Sequence, residues 1–425
     1  MGWLETCAMD ERMRFVMAIE THEEPFAAVC RRFGVSRRIG YKWIERYRAV
    51  GVAGLVDLSR APRRHPNQLT NEIAERCLAV RQAHPSWGPM KVKEWLERRV
   101  PGPQWPAAST IGELFDREGL TVKRRLRRRS PPSSAPFGEC ANANDVWCMD
   151  FKGWFLTGDG TRCEPFTLED AHSRYFLRCQ AMARTDTEHV WPVLEAAFRE
   201  FGLPLRLRSD NGSPFASTGA GGLSRLSVKV IKAGVVPERI APGKPQQNGR
   251  LERLHLTLLQ ETADPPARTL REQSGRFRSF QVLYNEERPH AALGNDTPAD
   301  HYIVSPRRFD GVLREPNYAA DCAVRRVRHN GEIRWRNCTI YISGPLTGEP
   351  IGISENANGS WTVCYGPIVL GTIDHRGDRL RRPKQQACGL VDNATALPTG
   401  PTGPTTTAAT TDLNETRNVL PMSPV

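Results

Sequence analysis

The chain has 425 residues, of which 39% are hydrophobic, and a formal net charge of +12; that length allows two or three domains with a sizeable core. No run approaches the roughly 18 uninterrupted apolar residues of a membrane span, and the N-terminus MGWLETCAMDERM lacks the order of a secretory signal. Eleven cysteines are scattered singly without a Cys-x-x-Cys pair, which argues against a disulfide scaffold or a zinc ribbon and for a soluble, intracellular protein with no membrane partner.

The charge is uneven. Residues 1–135 hold 25 Lys and Arg against 15 Asp and Glu, and so carry most of the net charge. A basic N-terminal third suits a polyanion, most simply nucleic acid, although a solubilising charged face has the same composition. Residues 10–48 read as three short helices. In AAVCRRFGVSRRIGYKWIERY (Ala27–Tyr47), Gly34 suits a tight turn and Ser36 an N-cap. Val29, Phe33, Val35, Ile39, Trp43 and Tyr47 recur at helical steps and are expected to bury one face. Arg37, Arg38, Tyr41 and Lys42 then stand where a helix-turn-helix presents groove-reading side chains, so residues 1–62 are expected to bind DNA.

A Pro-broken hinge, Leu58–Thr70, precedes a second helical region over 63–129. One helix is expected from Thr70 through Ala83, another after Gly88-Pro89-Met90, and a third capped by Ser109-Thr110. The spacing suits a winged or helix-turn-helix-like DNA-binding module. It ends in KRRLRRR (Lys123–Arg129), where Arg124 and Arg125 are candidate phosphate contacts. Residues 130–141, with SPPSSAPF, have linker composition.

Residues 142–305 carry the signals of a mixed α/β domain. DVWCMDFKGWFL (Asp145–Leu156) alternates as a strand, with Val146, Cys148 and Asp150 on one face and Trp147, Met149 and Phe151 on the other. An acid mid-strand is costly unless solvated, paired or bound to a cation. Two more strands follow through turns, suggesting an antiparallel meander, and then a helix over Thr185–Gly202 capped by Thr185 or Asp186. Leu203–Arg208 is a short strand with Asp210 at its end, where ligands bind in open α/β sheets; Asp-Asn-Gly alone is only a turn signal. Gly222–Gly234 reads as a helix. In PGKPQQNGRLERLHLTL (Pro242–Leu258), Asn248 is a candidate N-cap and Leu251, Leu254, Leu258 and Leu259 form an apolar stripe with Glu252 on its flank. By itself Glu252 is explained by the helix dipole.

Residues 318–382 turn β-rich, with a hairpin-like Asn330-Gly331 and the pattern of a small barrel. From 383 to 425, Thr, Pro, Ala and Gly prevail without periodicity, the composition of a disordered tail. Taken together, Asp150, Asp210 and Glu252 supply the oxygen ligands that two Mg²⁺ ions require. Such a metal pair activates a water or hydroxyl for in-line attack on a phosphodiester, while nearby Lys and Arg hold the flanking phosphates.

The blocks WCMDFKG, RSDNGSPF and PGKPQQNGRLER, followed by YNEERPHAALGNDTPAD (Tyr284–Asp300), occur in an order that resembles bacterial insertion-sequence DDE transposases with a retroviral-integrase-type catalytic core. The resemblance covers most of residues 10–305. It implies a multidomain α/β protein with N-terminal helix-turn-helix modules, a ribonuclease-H-like mixed-sheet core and a small C-terminal β-rich domain. It implies Asp150, Asp210 and Glu252 as a catalytic, metal-binding triad for two Mg²⁺ ions, with Mn²⁺ as a substitute. Lys244, Gln246, Asn248 and Arg250 would contact the DNA end. The chemistry implied is nicking at the element's terminal inverted repeats, then joining of the 3′-hydroxyl to target DNA, by a multimer on paired ends in a bacterial cytoplasm at the nucleoid. The 41 residues between Asp210 and Glu252 exceed the family's usual interval; the excess is expected in Ala216–Ser227 as an extruded Gly-rich loop. Asp170 is the rival carboxylate, with a structural role bonding Ser173 or Arg174. His172 and His255 are packing or DNA-contact residues, and Tyr284, Asn285, Arg288, Pro289 and His290 are architecture. Two other functions fit the same residues: a transposase-derived DNA-binding regulator with an inactive core, and a metal-dependent nuclease without strand transfer.

Overall fold

The computed structural model describes residues 7–59, 69–121, 140–240, 249–374 and 379–382. The chain forms two compact units, 1–70 and 71–425. In the first, α1 (Ala8–Glu20), α2 (Phe26–Arg32) and α3 (Arg37–Val50) pack round Phe15, Val16, Val29, Cys30, Trp43 and Ile44, closed by Leu55 from a 3₁₀ turn. Ser36 caps α3 by accepting from Ile39 N–H at 3.3 Å. Ile39 itself is 44% exposed, contrary to its expected place in the buried face. Gly40 takes that place, because a Cβ there would lie 2.9 Å from both Cys30 Sγ and the Phe15 ring. Close helix approach won over apolar content.

The second unit begins with α4 (Asn71–Ala83), α5 (Pro89–Arg99) and α6 (Ala108–Arg117), which bury Cys77, Val80, Trp87, Val92, Leu96, Ile111, Leu114 and Phe115. The third helix starts earlier than expected: Ala107 is its N-cap, and Ser109 and Thr110 lie inside it.

A mixed sheet follows, built from β1 (Val146–Phe151), β2 (Phe155–Leu156), β3 (Arg162–Asp170), β4 (Phe176–Met182), β5 (Arg206–Ser209) and β6 (Val236–Arg239). The order is β2-β3-β1-β5-β6, with β4 also on β3. The β1–β3, β2–β3 and β3–β4 pairs are antiparallel, and β1–β5–β6 run parallel. Alternation along β1 sorts its two faces. Trp147 and Met149 join α7 (Thr187–Phe201) and α8 (Arg225–Lys232) in one apolar cluster. Val146 and Cys148 join Leu251, Leu254 and Leu258 of α9 (Gly249–Thr262) and Phe277, Phe280 and Tyr284 of α10 (Leu270–Glu286) in another. This is the ribonuclease-H-like, helix–sheet–helix layering that the resemblance implied. Asp186 caps α7, accepting from Glu188 and His189 N–H at 3.0 Å.

Asn285 and Gln281 act as architecture on α10. The Asn285 amide accepts from Phe176 N–H at 2.7 Å and donates to Phe176 O at 3.0 Å, while Gln281 donates to the Phe176 and Leu177 carbonyls. Arg288 pairs with Glu261 of α9, which also bonds Ser86 of the α4–α5 turn; Arg98 of α5 bonds Asp296 and Asp300. The helical segment is thereby fixed on the core.

After the short α11 (Pro298–His301), the chain builds β7 (Ala323–Arg326), β8 (Glu332–Trp335), β9 (Cys338–Tyr341), β10 (Pro350–Glu355), β11 (Trp361–Tyr365), β12 (Ile368–Ile373) and β13 (Leu380–Arg381). Five of these strands form an antiparallel sheet, β13-β12-β11-β10-β7, and β8–β9 form a separate hairpin sharing its core. The expected hairpin at Asn330-Gly331 is not where strands pair. β7 pairs β10, and the two-residue turn of the β8–β9 hairpin is Arg336-Asn337, both at positive φ (43° and 65°). Those angles match the twist of a primed turn, but the turn lacks glycine and left no signal.

Candidate active site

Asp150 sits in β1 opposite Thr167 of β3. The parallel register of β1 and β5 pairs Val146 with Arg206, Trp147 with Leu207 and Cys148 with Arg208. Continued by two residues, that register sets Asp150 beside Asp210, on the face that Val146 and Cys148 present to α9. Asp210 lies just past β5, and its carboxylate is turned by Gly212, whose N–H donates to Oδ1 at 3.0 Å. Glu252 is exposed on the first turn of α9, whose leucines pack on that same face. Three elements distant in sequence therefore converge because one sheet register and one apolar stripe bring them together.

The electrostatics agree with this placement. Asp150 is held up at about 7, first by burial, then by the negative charge of Asp210, with Glu252 adding to it. The Phe151 N–H, donating to Oδ1 at 2.8 Å, and Lys152 oppose the rise. Asp150 thus lies in the field of both other acids. Among the described residues, no three His, Cys, Asp or Glu side chains are gathered closely enough to hold a metal ion as they stand. The donor set still fits a divalent cation in chemistry, since carboxylate oxygens are the hard ligands such ions take and the field of Asp210 and Glu252 at Asp150 is one a cation would relieve.

His255 lies one turn after Glu252 and is only 3% exposed. Its Nε2 is 2.7 Å from Thr167 Oγ1, which donates to the Asp150 carbonyl at 3.1 Å, and its Nδ1 is 4.0 Å from Asp150 Oδ2. Burial, with Lys152 nearby, lowers it to about 3, so the ring is neutral and backs the aspartate from inside the core. Asp170 is fully buried and accepts from Asn144 N–H and from Ser173 N–H and Oγ–H. Its lone pairs are committed to holding a turn. Glu238, on β6, pairs with Arg208 at 2.9 Å on the sheet. His172 is exposed, its Nδ1 3.0 Å from the Cys140 carbonyl.

Arg37, Arg38, Tyr41 and Lys42 are all exposed on α3. Tyr41 stacks on Phe26 at 4.2 Å and Lys42 lies over Trp43 at 4.7 Å, which fixes part of that surface. Arg124, Arg125, Lys244, Gln246 and Asn248 lie outside the described residues, as does the side chain of Arg250. The contributions of Thr167 and of Phe215, which stacks on Phe151 at 5.5 Å, were not read from sequence, since neither residue type carries a chemical signal there.

Two models of the integrase core domain match residues 141–245 and 233–298, and cover all three acids between them. A helix-turn-helix domain model matches 11–63 and a homeodomain-like model 39–115. An uncharacterized 31.7 kDa protein of insertion element IS407 from Burkholderia multivorans is 27% identical over 192 residues, 45% of this chain and 67% of that protein. The chain thus carries an integrase core domain over 141–298, preceded by helix-turn-helix and homeodomain-like matches, and is similar to an insertion-element protein. Among solved structures, the chain is similar to the HTLV-2 integrase catalytic core domain in complex with magnesium, at 14% identity and a TM-score of 0.30, covering 38% of this chain and 99% of that one. It is also similar to a chain of the simian T-cell lymphotropic virus intasome in complex with a PP2A regulatory subunit, at 14% identity and a TM-score of 0.35, covering 68% and 91%. Among the described residues, no helix is long and apolar enough to cross a membrane.

Proposed function

We propose that the protein is a transposase that binds the terminal inverted repeats of its element, nicks the ends and joins the freed 3′-hydroxyl to target DNA, with Asp150, Asp210 and Glu252 holding two divalent cations. The observation that carries this reading is the coupling of Asp150 to both other acids across β1, β5 and α9. When bound, Mg²⁺ or Mn²⁺ supplies the Lewis acidity that such displacements need. The chain's own residues do the rest. Asp150 is held within β1, paired with Thr167 of β3. Asp210 is oriented by its turn. Glu252 approaches from a helix start, where the backbone dipole favours its charge. Thr167 and His255 keep water away from the inner side of Asp150. Arg37, Arg38, Tyr41 and Lys42 would read the ends, Arg124 and Arg125 would contact phosphates, and Lys244, Gln246, Asn248 and Arg250 would clamp the end beside the acids, in a multimer that pairs two ends.

Strand transfer on labelled terminal-repeat DNA with Mg²⁺ or Mn²⁺ tests this. Asp150→Asn is expected to retain end binding and to lose both nicking and joining. Full activity in that variant would sink the assignment. Supplying a pre-nicked end separates transposition from simple nuclease action, because only the former yields joined products.

A further inference from the structure

The Gly-rich segment Ala216–Ser227, between Asp210 and Glu252, is not extruded. Ala216 bridges to Leu223, Ser217 N–H donates to Gly222 O at 3.0 Å, and a 3₁₀ turn over Ala220–Gly222 closes the segment. Ala220 is fully buried and shares one apolar cluster with Leu346, Ile351, Ile368 and Leu370 of the C-terminal β region. Leu223, Val228 and Ile231 join that cluster from the core side. Two arginines clasp the insert: Arg239 of β6 donates to Gly221 O at 3.0 Å, and Arg382 to Thr218 O at 2.7 Å. Lys232 of α8 pairs with Glu349 at 2.8 Å across the same junction.

The other end of the insert holds the Asp210 turn. The Ser224 and Ser227 hydroxyls both donate to Phe215 O, at 3.1 and 2.8 Å. Phe215 N–H donates to Gly212 O at 2.9 Å, and Gly212 N–H to the Asp210 carboxylate. A continuous set of bonds and packed side chains therefore runs from the C-terminal sheet to one acid of the site.

We infer that the C-terminal β region, by gripping residues 218–222, positions Asp210 and is a fixed part of the catalytic unit. The inference rests on the functional reading above only in giving Asp210 a catalytic task. Gly219 is the point at which to test the grip. Its φ of −68° is ordinary for any residue, so only the contact limits its size. A Cβ there would stand 2.6 Å from Ser343 Oγ, and 3.1 Å from Ser217 Oγ. Ser343 is fully buried, its hydroxyl has no hydrogen-bond partner among the described residues, and its own Cβ would be 3.7 Å away. Gly219→Ala should thus push the sheet off the insert, and Ser343→Ala should make room again.

The experiment uses the full chain as wild type, Gly219→Ala, Ser343→Ala and the double variant. Hydrogen exchange of the 210–216 segment and strand transfer at saturating terminal-repeat DNA are measured on each. Gly219→Ala is expected to exchange at least tenfold faster in that segment and to turn over at least tenfold more slowly, with end affinity unchanged. Ser343→Ala is expected to match wild type, and the double variant to recover both readouts. Wild-type exchange in Gly219→Ala, or a folded double variant that recovers neither readout, overturns the inference. Exchange needs no DNA, so wild-type protein that joins no ends would count against the functional reading alone.

Discussion

Replacing Asp150 with Asn is expected to make the protein more stable near neutral pH while destroying its activity. The carboxyl is held up at about 7 against an ordinary value of 3.8. A raised folded-state value means that stability is fullest below the ordinary value and is lost as pH rises toward 7. Roughly three pH units at about 1.4 kcal/mol each give a ceiling of ~4 kcal/mol. The side chain is 20% exposed, so solvent relaxation trims this to about 2–3 kcal/mol. Asn carries no charge at any pH and can still accept from Phe151 N–H through its amide oxygen. Urea unfolding with chelator present should therefore show the variant near wild type at about pH 4 and about 2–3 kcal/mol more stable at about pH 8. An equal difference at both pH values, or a wild type more stable at the higher one, would refute the electrostatic account of the site.

Three further outcomes follow from the same structure. Mg²⁺ at a hundredfold excess over its dissociation constant should stabilise the wild type by about 2.7 kcal/mol in thermal unfolding, and Asp150→Asn should show no such gain. Glu261→Gln should cost about 3 kcal/mol in urea unfolding, because Arg288, 6% exposed, would keep its charge without its partner. Arg37→Ala and Arg38→Ala, both at exposed positions, should change stability by less than about 0.5 kcal/mol. Each should lower end affinity and flatten its salt dependence by about one unit of slope, as measured by fluorescence anisotropy across a salt series.

The alternation in β1 was legible because period two alone assigns Trp147 and Met149 to one helical layer and Cys148 and Asp150 to the other. The leucine spacing of α9 was legible for the same reason, at period 3.6. Motif order singled out three candidate acids, but only the parallel register of β1 and β5 explains why Asp150 and Asp210 are neighbours. Composition misled at the insert. Its glycines and serines read as solvent-exposed loop, yet its partners Ser343, Ile368 and Leu370 lie more than a hundred residues downstream, beyond any local pattern. Asn330-Gly331 misled similarly: it carries the strongest short hairpin signal, while the strands flanking it pair with others. His255 and Thr167 meet across 88 residues through a strand register and a helix face, neither of which a list of residues states.

Helix α9 carries more than its acid. Glu252 stands on its first turn, His255 backs the site from its second, the leucine stripe grips the sheet, and Glu261 bonds Ser86 and Arg288 near its end. The two glutamates are nine positions apart on the α-helix, about 13.5 Å at 1.5 Å per residue. A helix of that length moves as a rod. The seating of the 71–117 helices on the core and the height of Glu252 over the sheet are therefore linked through one helix, and under the proposed function DNA held by those helices would load the third acid.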